Sequence, residues 1–166
     1  MFEMGQLRKA AENTGDEDTP TTVIAMIKNE PLAVPTQQLE SWGENKDDYI
    51  KQMVINDLLA KEATTRNIVV SYEEAEAFME EQRARQDSDM AELFEEYCRG
   101  AGISIEQYWQ EAILAYQTML IKNALYQRAW EEWLAENQDA DQGSARSSFV
   151  ENYHQQLMID YVVVFV

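Results

Sequence analysis

Apolar positions recur along this chain at two spacings, and the changes between them mark its elements. Thr22 to Ile27 is a continuous, partly β-branched apolar run, which predicts a short strand. Lys28-Asn29 reads as a turn, because Asn tolerates left-handed backbone. Pro31 to Val34 reads as a return strand that its proline confines to an edge. Thr36 is expected to cap a short helix ending at Trp42.

From Lys46 to about Arg66 the period lengthens to that of a helix. Tyr49, Ile50, Met53, Val54, Asp57, Leu58 and Lys61 form its stripe, the two charged members marking the edge, and Asn67 is the stop. Ser71-Tyr72-Glu73-Glu74 is a capping box opening a helix that carries Tyr72, Ala75, Phe78 and Met79. Gln86 to Asp89 interrupts the pattern. Met90, Leu93, Phe94 and Tyr97 then form a new stripe, ended by Gly100 and Gly102. Ser104 to Gln107 is a second capping box, and no Pro or Gly follows before Gly143. One helix is therefore predicted from Ile105 to about Ala135, on the order of 46 Å long. Residues 136–148 read as a polar loop, Ser148 to Glu151 as a third capping box, and Tyr161 to Val166 as a strand needing burial or a partner. The good partner is Thr22 to Ile27. The fold class is thus mainly α, with one long helix and a small β-sheet pairing the N- and C-terminal strands.

The long helix has two apolar faces. Ile105, Tyr108, Trp109, Ala112, Tyr116, Met119, Leu120, Trp130 and Leu134 share the broad one, while Leu114, Ile121 and Leu125 lie opposite. A helix covered on one side needs no second stripe, so that stripe meets either neighbouring helices or a partner.

Composition narrows the function. Thirteen Lys and Arg against 31 Asp and Glu give a net charge of −18 over 166 residues, which repels phosphate backbones and anionic lipid. A nucleic-acid partner and membrane insertion are therefore not expected, and the longest apolar run is far below the ~18 residues of a span. One Cys rules out an intrachain disulfide, and one His rules out a His-rich metal centre. Glu151-Asn152-Tyr153-His154 has the spacing of a di-iron helix motif, but a second such motif needs a second His. The glutamates between Glu73 and Glu81 read as a solvated helix face, and Cys98 as a half-buried structural thiol. Without a phosphate loop or nucleophile elbow, no enzyme, metal or cofactor is expected. Residues 1–20 are acidic and turn-rich toward Asp18 and read as a disordered leader, with a short helix around Met4 to Glu12; 21–166 read as one domain.

Several of these segments, in this order, resemble the SurA N-terminal-like chaperone domains. Lys28-Asn29-Glu30-Pro31-Leu32 is similar to their Asn-Gly-Glu-Pro-Ile opening. Leu58 to Ala63, followed by Arg66-Asn67-Ile68-Val69-Val70-Ser71-Tyr72-Glu73-Glu74, resembles their leucine-rich helix with Arg-Gly-Ile and Val-Ser-Asp-Glu-Glu. Gly102-Ile103-Ser104-Ile105-Glu106-Gln107-Tyr108 resembles the start of their long helix. The resemblance spans about residues 22–166. It implies a helical cradle for unfolded polypeptide, related to the foldase PrsA and more distantly to the trigger factor C-terminal domain. It also implies a place outside the cell membrane, whereas the chain read literally, without a signal segment, is cytoplasmic. Many relatives carry a parvulin prolyl isomerase domain before the returning helix, where this chain has only 136–148.

The expected function is ATP-independent holding of unfolded or partly folded polypeptides. Phe78, Met79, Leu93, Phe94, Tyr97, Leu114, Ile121 and Leu125 are the candidate peptide-binding residues. The alternative is an interaction module that forms a homodimer through the long helix.

Overall fold

The structure, a computed structural model, describes residues 19–166. The expected helix at Met4 to Glu12, and all of the leader before Thr19, lie outside the described residues. The remainder is mainly helical with a small sheet, and its contacts group into two compact units. The middle unit is Val70–Ile121; the terminal unit is Pro20–Val69 with Lys122–Val166.

In the terminal unit, β1 (Thr21–Ile27) is the central strand of a three-stranded sheet in the order β2-β1-β3, with β2 spanning Glu30–Pro35 and β3 Val164–Phe165. Both neighbours run antiparallel to β1, so the strands nearest the two ends of the chain do pair. Lys28 and Asn29 both take positive φ, 48° and 66°, the geometry that closes a tight hairpin with the twist of its strands. A register shift between Val23 and Ala25 lets the adjacent Ile24 and Ala25 both be buried. Ile24, Val34 and Leu39 form a core, with Trp42, Ile50 and Met53 packed on it.

Thr36 does not cap helix α1 (Thr36–Ser41) but is its first residue, after Pro35. Its hydroxyl lies 2.7 Å from that of Thr22 and so ties α1 to β1 instead. Helix α2 (Lys46–Thr65) buries Val54, Ile55, Leu58, Leu59 and Ala63. That stripe is turned from the expected one, leaving Tyr49 exposed against Trp42 at 5.4 Å. Asp57 and Lys61 pair with each other at its edge.

In the middle unit, α3 (Tyr72–Ala84) starts at the Ser71–Glu74 capping box, with both reciprocal bonds formed. Helix α4 (Ser88–Ala101) is capped by Asp87, which accepts from the Met90 N–H. Helix α5 (Ile105–Glu136, 32 residues) begins behind Ser104, whose hydroxyl accepts from the Gln107 N–H. Ala75, Met79, Trp109 and Ile113 make the core of this unit. The second half of α5 belongs to the terminal unit, where α6 (Gln142–Asp160) packs against α2.

Two expectations near the C-terminus are corrected. Helix α6 starts at Gln142, not at Ser148: the Asp141 carboxylate accepts from the Gly143 N–H and the Ser144 hydroxyl, capping the helix seven residues earlier. Ser148 lies inside α6 with its hydroxyl turned back toward the Ala145 carbonyl, so the polar loop shrinks to Asn137–Asp141. Tyr161 to Val166 is not one buried strand either. Tyr161 ends α6, Val162 turns at φ 49°, Val164 and Phe165 form β3, and the Val166 N–H donates to the Ile24 carbonyl of β1 while its side chain is left 79% exposed. Tyr161 is instead an anchor, donating its hydroxyl to Glu62 at 2.9 Å while its carbonyl accepts from the Lys28 N–H.

Candidate functional site

The middle unit gathers part of the expected binding set. Met90, Leu93, Phe94 and Tyr97 share one face of α4, because they are spaced at three and four residues. The C-terminal end of that face continues into the core through Cys98 and Ala101, both buried. Phe94 packs on Tyr108 at 4.9 Å and on Trp109 at 5.4 Å, and Tyr97 meets the edge of Tyr108. At the N-terminal end of the same face Met90 and Leu93 stay 45% and 44% exposed. Phe78 on α3 is half-buried against Tyr116. The polar side of α4 carries Asp89, Glu92 and Glu95, all exposed.

Other expected members go elsewhere. Met79 is in the core of the middle unit and Leu125 in that of the terminal unit, so neither offers surface. Leu114 is 60% exposed and Ile121 half-buried. The second stripe of the long helix is therefore not one surface: its spacing is real, but Leu125 lies where the terminal unit closes over the helix.

The terminal unit holds a recess that sequence reasoning missed. It encloses about 430 Å³ and is lined by Trp133, Phe149 and Tyr153 together with Arg66, Glu132 and Glu136. Phe149 and Tyr153, one turn apart on α6, stack with centroids 5.9 Å apart and planes 6° apart. The edge of Phe149 meets Trp133 at 6.5 Å, and Trp133 stacks on Trp130 at 5.3 Å. Arg66 reaches Glu62 and Glu132, each at 2.7 Å. The Glu62 bond, above all, raises its already high pKa, and Arg66 in turn lowers that of Glu132. The Tyr153 hydroxyl oxygen is buried and has no hydrogen-bond partner, and burial pushes its pKa up to about 12. The signal in the sequence was four aromatics at i, i+3 and i, i+4 on two successive helices, indistinguishable there from core.

His154 is half-buried on α6, its Nε2 2.6 Å from the Tyr126 hydroxyl, and burial lowers its pKa. It fastens α6 to α5. Among the described residues no group of three or more His, Cys, Asp or Glu is placed to hold a metal ion, and no helix is long and apolar enough to cross a membrane. No family model, curated protein or solved structure significantly matches the chain.

Proposed function

We propose that this chain holds non-native polypeptides on the apolar face of its middle unit, with no chemical step of its own. The observation that carries the reading is the half-covered face of α4, where Met90 and Leu93 remain in water beside the rings of Phe94 and Tyr97. Apolar surface left in water forgoes ~25 cal/mol per Å², and a client's apolar side chains recover it on contact. Met is unbranched and polarizable, which suits clients of varied shape. Phe78, Leu93, Phe94 and Tyr97 remain in the proposed site, and Met90 joins them. The resemblance of the motif order to SurA N-terminal-like domains supports the same reading. In place of a parvulin domain the chain has the short Asn137–Asp141 connection, so prolyl isomerase activity forms no part of the proposal. The charge of −18 turns nucleic acids away.

A second reading, a homodimer through α5, is favoured by Leu114 alone, 60% exposed on that helix. Suppression of aggregation of a thermally unfolding client tests the first reading. Met90→Gln with Leu93→Gln is expected to weaken suppression severalfold with little change in Tm; unchanged suppression defeats it. Sedimentation without client tests the second: a dimer that Leu114→Gln dissolves would favour it.

A further inference from the structure

The aromatic recess of the terminal unit takes no part in the surface just proposed. Its volume of about 430 Å³ lies within the range of small-ligand sites. Its walls are the rings of Trp133, Phe149 and Tyr153, whose faces carry partial negative charge. Glu136, exposed at the last residue of α5, adds a carboxylate. Arg66 on the wall is already held between Glu62 and Glu132, so it has little charge left for an anion. The Tyr153 hydroxyl oxygen is itself buried, so Tyr153 contributes its ring to the wall. The neighbouring ring shows the contact such a site makes: the Arg146 guanidinium lies 5.3 Å from Trp130, which stacks on Trp133.

We propose that this recess binds the cationic side chain of an arginine or lysine, its charge against the rings and Glu136. The ring contact supplies a cation–π attraction that an alkyl chain of equal length lacks. An acidic side chain meets Glu136 and is repelled, Glu132 being already paired with Arg66 and Arg128. The proposal rests on the polypeptide-holding reading only for the source of the side chain, since an amino-acid derivative tests the recess directly.

The probe is Nα-acetyl-arginine-N-methylamide, titrated into the full chain and followed by the indole N–H resonance of Trp133. The norleucine and glutamate analogues are the controls. Saturable binding of the arginine probe is expected, about tenfold weaker for norleucine and absent for glutamate. Glu136→Gln, at an exposed position, is expected to weaken binding about fivefold. No saturation by arginine, equal binding of norleucine, or indifference to Glu136→Gln overturns the proposal. If arginine binds while the Met90 and Leu93 substitutions leave client holding unchanged, the recess stands and the holding surface fails. If arginine does not bind while those substitutions weaken holding, the holding surface stands and the recess fails.

Discussion

Among the described residues, Val162 is the one whose backbone disagrees most with its side chain. Three helices end alike, with one left-handed residue and a backbone bond closing back over the last turn. These residues are Asn67 after α2, Gly102 after α4 and Val162 after α6, with the bonds Ile68 N–H to Ala63, Ile103 N–H to Cys98 and Val163 N–H to Met158. Asn and Gly suit that position, whereas a β-branched side chain there crowds the backbone. Val162 is 63% exposed and has little burial to lose. Val162→Asn is therefore expected to raise stability by ~1 kcal/mol, read by urea unfolding. Tyr153 supplies a pH dependence. Its phenol ionises at about 12 when folded against an ordinary 10.0, so the unfolded chain gives up its proton first. That contribution is complete below pH 10 and is lost as pH rises through about 12, and Tyr126 and Tyr161, also raised by burial, act the same way. Tyr153→Phe is expected to make the alkaline fall in Tm shallower.

Among the elements, the start of α6 separates a pattern from a structure. Ser148-Phe149-Val150-Glu151 satisfies the capping-box pattern, yet Asp141 holds the cap. Asp141→Ala is expected to cost ~1 kcal/mol, and Ser148→Ala is expected to be nearly neutral, in the same unfolding assay. Equal losses would return the start of the helix to Ser148. Where a cap lies just ahead of a clear apolar period, as at Ser71 and Ser104, the boundary was legible. Ahead of α6 two caps compete, and in the turns between them Asp141 takes the Gly143 N–H and the Ser144 hydroxyl while Arg146 lies over the Trp130 ring of α5, which the local pattern leaves open. The same limit applies along α5. The spacing of Leu114, Ile121 and Leu125 places them on one face, but spacing carries no record of which neighbour reaches that face. Leu125→Ala is expected to cost ~2–5 kcal/mol, while Leu114→Ala changes stability by a few tenths. The β1–β3 pairing was legible because few apolar runs of strand length exist; the exposure of β3 was not, because it depends on where α6 stops.

For the whole molecule, net charge separates the two proposed surfaces. If the chain holds clients as proposed, its charge of −18 is expected to draw basic ones from beyond contact distance, an attraction that salt screens over about 8–10 Å near physiological ionic strength. The apolar face of α4 depends far less on salt, since its contribution is removal of surface from water. Two unfolding clients of similar size, one with a strongly basic and one with an acidic isoelectric point, therefore behave differently. Aggregation of the basic client is expected to be suppressed more at 50 mM NaCl, and its advantage to shrink severalfold by 300 mM. Suppression of the acidic client is expected to hold steady or improve as repulsion is screened. Met90→Gln with Leu93→Gln is expected to weaken both, and Glu136→Gln to touch only the basic one. If salt leaves both clients unaffected, charge has no part in client choice, and holding rests on the α4 face alone. Should the double variant also leave both unaffected, the middle unit is not the holding surface, and the exposed Met90 and Leu93 are ordinary scattered apolar residues of a helical domain.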